Sequence, residues 1–381
     1  MGKVKQLKIL ALEPYYGGSH KAFLDGWIKF SQHQWTLLNL PPRKWKWRMR
    51  HSAITLTNQT AEIIRSGRDW DVLFCSDMLN LAEYKGLAHT RVQKIPSIAY
   101  FHENQLTYPI IHKQTMDYHY VFTNMTTALA ATEVWFNSSF HRETFFCALQ
   151  AFLKRMPDFR PLESVENIRS KSKICYPGIH QFPKRKGRHP GPMRITWAAR
   201  WEYDKNPELL FNALRILKWR NIDFRLSVIG EQFRQIPDVF HSAKQEFSCF
   251  IDRWGYQQCR NDYESALLEA DVFVSTAEHE FFGISVLEAS AAGAFPIVPK
   301  KLAYPETLEH DNGNEDFYFD GSVNQLADRL TQLAKRIRNN TLWNGDPTRA
   351  IRIAEKFYWQ PTARRLDRSL YTVFSQREED H

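Results

Sequence analysis

The sequence predicts an α/β protein of two domains, each a parallel sheet wound with helices. Three observations carry that prediction. Short apolar runs recur along the chain with helix-length segments between them, an alternation that calls for buried parallel strands joined by crossover helices. A basic segment rich in Pro and Gly, residues 184–193, interrupts the alternation, which restarts at Arg194. The 381 residues, 43% of them hydrophobic, suffice for two full cores. The expected boundaries are 1–183 for the first domain, 184–193 for a linker, 194–356 for the second domain and 357–381 for a terminal helical segment.

KILALE, residues 8–13, is the first strand. It runs into Pro14-Tyr15-Tyr16-Gly17-Gly18-Ser19-His20, where Ser19 is a suitable N-cap for a helix over 20–30. Strand, glycine turn and helix start is how such a domain presents a phosphate-sized pocket, so Gly17 and Gly18 are candidate ligand positions. Residues 34–40 read as a second strand, followed by PPRKWKWRMRHS. This stretch reads as a basic loop in which Arg43, Lys44, Lys46, Arg48 and Arg50 interleave with Trp45 and Trp47. Cations with exposed tryptophans suit phosphate contact and base stacking on RNA. Strands over 71–76 and 96–101 leave Asp77 and then His102, Glu103, Asn104 and Gln105 at their carboxyl ends, ahead of Tyr108 and Pro109. Ligands of doubly wound sheets bind at that edge, so four successive polar residues there mark a candidate site. A strand over 133–137, a helix from Ser138 to about Met156, a polar insertion over 157–170 and a last strand over 174–179 complete the domain.

Residues 194–199 restart the alternation, with Arg200 and Lys205 before a helix over 206–218. Two cations at the carboxyl end of a first strand can neutralise a leaving diphosphate. A strand over 224–230, the pair Gly255-Tyr256 and a helix over 261–269 lead to ADVFVSTAEHEFFGISVLEASAAG, residues 270–293. This stretch reads as a strand, a loop holding Glu280, Phe281, Phe282 and Gly283, and a helix closed by Gly293, with Glu288 on its first turns. A helix N-terminus carries unpaired N–H groups and the positive end of a dipole, so Ile284, Ser285 and Val286 suit a diphosphate. Gly283 admits a ligand close to the backbone. Two carboxylates beside an anion site are suited to accepting hydrogen bonds from neutral hydroxyls, which makes this a nucleotide-sugar site. A strand over 294–299, a helix within 321–338 and a last helix over 361–374 follow.

No apolar run approaches the roughly 20 residues of a membrane span. The opening MGKVKQLKILALEP has no signal-peptide architecture, and the five cysteines show no metal-ligand spacing, so a cytoplasmic protein is expected. A net charge of +9 and a pI of 9.2, with 12 Trp and 15 Tyr, are compatible with an RNA partner. The first strand is not followed by the G-x-G-x-x-G turn of a dehydrogenase.

The order Glu280, Phe282-Gly283, Glu288, Ala289, Gly293 resembles the E-x7-E signature of retaining glycosyltransferases with the GT-B fold. The resemblance implies two Rossmann-like domains facing a central cleft and a C-terminal helix crossing back to the first domain. The runs LALEPYYGGSHKAFLDGW, FCSDMLNLAE, YFHENQLTYP and FNSSFHRE resemble the tRNA-queuosine mannosyltransferase family, over nearly the full length. That family resemblance implies transfer of mannose from GDP-mannose, with retention, to queuosine at the wobble position of aspartate tRNA. It implies Glu280 on the donor sugar, Glu288 on the ribose, backbone at Gly255 and Tyr256 beside the nucleobase, and Gly17 and Gly18 near the diphosphate. Arg200 and Lys205 would stabilise the departing diphosphate, His102 would steady the sugar or the acceptor hydroxyl, and Glu103 would accept a proton. Asn104, Gln105 and the 43–48 stretch would serve the tRNA. No metal and no cofactor beyond the donor substrate are expected, nor a membrane contact. Two alternatives stay open: a related transferase with another nucleotide sugar or a non-RNA acceptor, and a non-catalytic RNA-binding protein on the same scaffold. The second should have lost the donor motif, which is intact.

Overall fold

The computed structural model describes residues 5–107, 117–233 and 235–379, so Tyr108 and Pro109 of the expected site loop lie outside the described residues. The chain divides into two compact units, Met1–Gly178 with Trp359–His381, and Ile179–Tyr358.

The first unit runs β1 (Lys8–Glu13), α1 (Gly18–Phe30), β2 (Gln34–Asn39), α2 (Trp45–Arg65), β3 (Val72–Ser76), α3 (Leu81–Leu87), α4 (Thr90–Gln93), β4 (Ser97–Phe101), α5 (Tyr118–Ala130), β5 (Glu133–Phe136), α6 (Ser139–Lys154), α7 (Glu163–Ser170) and β6 (Ser172–Ile174). All strand pairs are parallel, in the order β2-β1-β3-β4-β5-β6. Apolar residues at every position serve both faces of the sheet. Leu10, Leu12, Leu73, Cys75, Ala99 and Phe101 join one core, and their neighbours Ile9, Ala11, Val72, Phe74, Ile98 and Tyr100 join the other.

The second unit runs β7 (Met193–Ala198), α8 (Pro207–Trp219), β8 (Phe224–Ile229), α9 (Val239–Glu246), β9 (Ile251–Gly255), α10 (Arg260–Glu269), β10 (Val272–Val274), α11 (Ile284–Ala291), β11 (Phe295–Pro299), α12 (Tyr304–Thr307), β12 (Tyr318–Phe319), α13 (Val323–Arg338) and α14 (Arg349–Glu355). Its parallel sheet has the order β12-β11-β10-β7-β8-β9. The winding direction reverses between β7 and β10 here, and between β1 and β3 in the first unit. The loops at those strand ends are where such sheets hold ligands. The last helix, α15 (Trp359–Glu379), belongs to the first unit. Its buried Asp367 accepts hydrogen bonds from Trp27 Nε1 (2.8 Å), Ser31 Oγ (2.8 Å) and the Gln32 amide (2.9 Å).

Five local expectations are corrected. The stretch read as a basic loop is helical from Trp45, because Met49, Ala53, Leu56 and Thr60 form a buried stripe at helical spacing. Helix α1 begins at Gly18 with Gly17 as its N-cap and no side-chain cap from Ser19. The 157–170 insertion contains α7, whose Val165 and Ile168 are buried. The last strand of the first sheet is β6 at Ser172–Ile174, ahead of the expected 174–179. The segment expected as a linker, 184–193, lies inside the second unit. Arg185 donates to the carbonyls of Ala270 (2.7 Å) and Gly293 (3.1 Å), and both Arg185 and Arg188 reach the buried Asp271 carboxylate at 3.1 Å. These bonds tie it to the second sheet.

Candidate functional site

In the second unit, the loops after β7 and β10 are laced together. The amides of Glu278 and His279 donate to the Asp204 carbonyl, at 2.8 and 3.3 Å, and Thr276 Oγ1 donates to the Lys205 carbonyl at 2.7 Å. Asn206 sits in the left-handed region (φ 47°) and caps α8 through its side chain. This lacing buries Lys205 to 7% exposure. Its Nζ donates to the His279 carbonyl (2.6 Å) and lies 3.0 Å from Asp204 and 3.6 Å from Glu280. Burial, with Lys205 adjacent, lowers the His279 imidazole to about 4, so that ring is neutral at pH 7.

A small pocket opens beside Lys205, lined also by Glu280, Ser285, Ser275, Tyr304 and Trp197. Gly283 starts α11 with φ 91°, and a Cβ there would stand 2.8 Å from the Tyr304 ring, so only glycine fits. The amides of Ile284 and Ser285 open α11 with no acceptor among the described residues, whereas Val286 N–H turns back to the Gly283 carbonyl (3.1 Å). A buried cation, a carboxylate and unoccupied helix amides together fit a diphosphate joined to a polyol. Arg200, half-buried on the same loop, pairs with Glu202 at 3.1 Å. Phe282 is buried, with its ring edge-on to Phe357.

Glu288 stands on the second turn of α11, and both its oxygens are engaged. Arg260 donates to one at 2.8 Å and the Tyr263 hydroxyl to the other at 2.8 Å. Burial works against the Arg260 charge, yet Glu288 and Glu264 hold its guanidinium above the ordinary range. Gly255 ends β9 in the left-handed region (φ 95°), and Tyr256 beyond it is exposed.

In the first unit, the ends of β1, β3 and β4 bring four ionisable groups together. Glu13 closes β1 and is fully buried; its Oε1 accepts from the Tyr15 amide and Ser76 Oγ, both at 2.9 Å. Its Oε2 meets His20 Nδ1 at 3.2 Å. The His20 ring stacks on His102, with centroids 4.0 Å apart and planes tilted by 35°. Asp77, at the end of β3, accepts from the His102 amide at 2.9 Å. Burial opposes charge on His20, but Glu13, Asp77 and Glu103 raise it to about 9. Burial raises Asp77 to about 7, against the pull of His20. Burial, His20 and His141 hold His102 well below its ordinary value. Glu103 and Gln105 are half-buried, and Asn104 is buried with its Oδ1 accepting from Leu106, Thr107 N and Thr107 Oγ1, each at 3.1 Å. One atom each of Glu13, His20 and His102 lie within 4.8 Å of one another, close enough for a shared cation. Gly17 abuts Pro42, and Gly18, exposed, carries φ 51°.

Lys44 caps α2 in the left-handed region, and Arg43, Lys44, Lys46 and Trp47 are exposed along its start. Trp47 is 61% exposed and stacks on His51. Trp45 is half-buried against Tyr120, so it packs rather than projects. Arg48 donates to the Pro41 carbonyl (3.0 Å) and lies 2.9 Å from His51. Sequence reasoning did not select Glu13, His20, Ser275, Tyr304, Arg260 or Tyr263. Glu13 carried a local signal, a carboxylate closing an otherwise apolar strand. The others carried none, because the contacts that matter (Arg260 and Tyr263 with Glu288, Ser275 with Tyr304, His20 with His102) join residues at least 25 apart in the chain.

Residues 8–179 match the family described as tRNA-queuosine alpha-mannosyltransferase N-terminal, and residues 179–341 match Glycosyl transferases group 1. The chain is 37% identical over 316 residues to the tRNA-queuosine alpha-mannosyltransferase of Drosophila melanogaster, covering 80% of this chain and 82% of that protein. A GDP-mannose-dependent alpha-(1-6)-phosphatidylinositol dimannoside mannosyltransferase of Mycobacterium tuberculosis is 27% identical over 124 residues, 32% of each chain. Among solved structures, a glycosyltransferase from Rickettsia africae superimposes with a TM-score of 0.69 at 14% identity, covering 97% of this chain and 99% of that one. That likeness is one of fold, and the fold is GT-B.

Proposed function

Because this chain belongs to the tRNA-queuosine alpha-mannosyltransferase family, and is thereby a glycosyltransferase, we propose that it moves mannose from GDP-mannose to queuosine in the anticodon of aspartate tRNA, with retention. The observation that carries the donor half is the arrangement of Lys205 and Glu280 at the open amides of α11. Lys205 and Arg200, with the amides of Ile284 and Ser285, stabilise the charge that develops on the leaving diphosphate. A buried ammonium and a helix N-terminus supply there the positive charge a divalent ion supplies elsewhere, and no metal is invoked. Glu280 takes hydrogen bonds from the hexose hydroxyls, and Glu288, oriented by Arg260 and Tyr263, takes those of the ribose. Gly255 and Tyr256 attend the base.

Glu280 is the carboxylate of this pocket and is engaged with Lys205. A covalent glycosyl-enzyme needs a carboxylate free to attack the anomeric carbon. We therefore read retention as a front-face displacement, in which the acceptor hydroxyl attacks from the side the diphosphate leaves. Of the first-unit residues, His102 contacts a reacting hydroxyl, Glu103 accepts its proton, and Gly17 and Gly18 attend the diphosphate. The exposed cations at the start of α2, with Trp47, Asn104 and Gln105, serve the tRNA. A tRNA acceptor is consistent with action in the cytoplasm.

The test is incubation with GDP-mannose and, separately, UDP-galactose on queuosine-containing tRNA, with mass spectrometry of the digested nucleosides. A hexose added to queuosine from GDP-mannose alone is the expected result. Addition from UDP-galactose alone, or none from either donor, overturns the reading.

A further inference from the structure

The buried cluster at the ends of β1, β3 and β4 has more order than a ligand contact at His102 requires. Glu13 is held at both oxygens, by Ser76 and the Tyr15 amide on one side and His20 on the other. Helix α1 starts tightly after β1, which returns His20 onto the end of its own strand and against His102. Two imidazolium rings with centroids 4.0 Å apart would repel, so one ring of the stack carries the charge. The ring in contact with a carboxylate takes it. His102 Nε2 and Asp77 Oδ2 are enclosed and without hydrogen-bond partners among the described residues.

We propose that Glu13 and His20 are positioning residues for His102: Glu13 holds His20 as an imidazolium, and that cation fixes the stacked His102 as a neutral imidazole whose half-buried ring serves a substrate hydroxyl. The proposal rests on the mannosyl-transfer reading for the identity of that hydroxyl alone. The charged groups around the stack agree with it. His20 is faced by Glu13 from β1, Asp77 after β3 and Glu103 after β4, which together raise it to about 9 against burial. His102 is faced by His20 from α1 and His141 from α6, and both, with burial, disfavour its protonation. The sign follows. Between the ordinary imidazole value of 6.5 and about 9 the pair holds one proton, on His20. As pH rises through about 9 that proton leaves, the restraint on His102 is lost, and turnover declines on an alkaline limb. A metal shared by Glu13, His20 and His102 is the competing occupant; the two ring centroids stand 4.0 Å apart with planes tilted by 35°, and titration with and without EDTA separates the two cases.

The experiment is a pH titration by NMR of the full chain labelled at histidine Cε1, with and without EDTA, with His20 assigned through His20→Gln. The expected wild-type midpoint for His20 is near 9, while that of His102 lies well below the ordinary imidazole value. Glu13→Gln brings the His20 midpoint down by about two units and raises that of His102 toward the ordinary value. In transfer assays Glu13→Gln lowers kcat by about tenfold or more, leaves donor KM within about twofold and removes the alkaline limb. His20→Gln, neutral at every pH, also removes the limb and serves if Glu13→Gln does not fold. A wild-type His20 midpoint near 6.5 overturns the proposal, as does a His20 signal that titrates after chelation alone, or variants with unchanged kcat and pH profile. Absence of mannosyl transfer by the wild type sinks the functional reading instead, and the titration still decides the charge state of the stack.

Discussion

Lys205 and Glu280 stand 3.6 Å apart, yet their substitution should have different consequences. Lys205 is enclosed, and its ammonium satisfies the His279 carbonyl and the Asp204 carboxylate. Removing it leaves a carbonyl and a carboxylate without their donor in a tight loop. Glu280 retains 29% side-chain exposure, so water replaces its partner when it is cut back. Lys205→Ala should therefore cost about 2 kcal/mol of stability as well as activity. Glu280→Ala should lower kcat by roughly a thousandfold while changing stability by less than about 1 kcal/mol. Urea midpoints alongside steady-state transfer rates separate the two, and equal loss of stability in both variants would refute the distinction. Both residues were legible in the sequence, since each follows a strand at the edge where ligands bind. Glu13 and His20 were not selected, because nothing local links residue 13 or residue 20 to residue 102. Their meeting depends on β1 and β4 flanking β3 in the sheet.

At the scale of elements, α11 carries the donor chemistry, and its geometry is set by one residue. Gly283 adopts φ 91° beneath Tyr304, whose hydroxyl meets Ser275 Oγ at 2.7 Å. Gly283→Ala should strain the turn and push the Tyr304 ring, costing about 1–3 kcal/mol. It should also raise donor KM, because the amides of Ile284 and Ser285 would no longer point as they do. Thermal unfolding and donor saturation curves measure both effects; an unaltered KM would show that these amides do not hold the donor. Helix α2 shows where local reading failed. Its first residues are basic and aromatic, without an apolar face, and its buried stripe begins at Met49. Cations projecting from a helix are held at fixed spacing, which a loop does not provide.

At the scale of the whole molecule, the net charge of +9 acquires a location on the first unit, where Arg43, Lys44 and Lys46 stand exposed beside Trp47. Phosphate contacts release counterions, so their loss appears in the salt dependence of binding. Arg43→Ala and Lys46→Ala should each weaken tRNA binding and reduce the slope of log K against log salt by about 1. Binding titrations from low to moderate KCl give that slope. An unchanged slope would move the tRNA footprint elsewhere on the surface. Such substitutions should leave folding intact, since none of these side chains is buried.

The sequence by itself determined the two α/β units, the strand-end placement of Lys205, Glu280 and His102, and, through its motifs, the family. Those features are local: runs of apolar residues, a glycine before a helix, polar residues just past a strand. Tertiary structure alone decided which side chains share an environment. It committed both oxygens of Glu288 to Arg260 and Tyr263, turned half of the expected tryptophan pair inward, and tied the presumed linker to Asp271. It also stacked His20 on His102 beside Glu13. The physical reason is that charge state and contact depend on burial and on neighbours distant along the chain. Strand order and helix packing fix both, and periodicity carries neither.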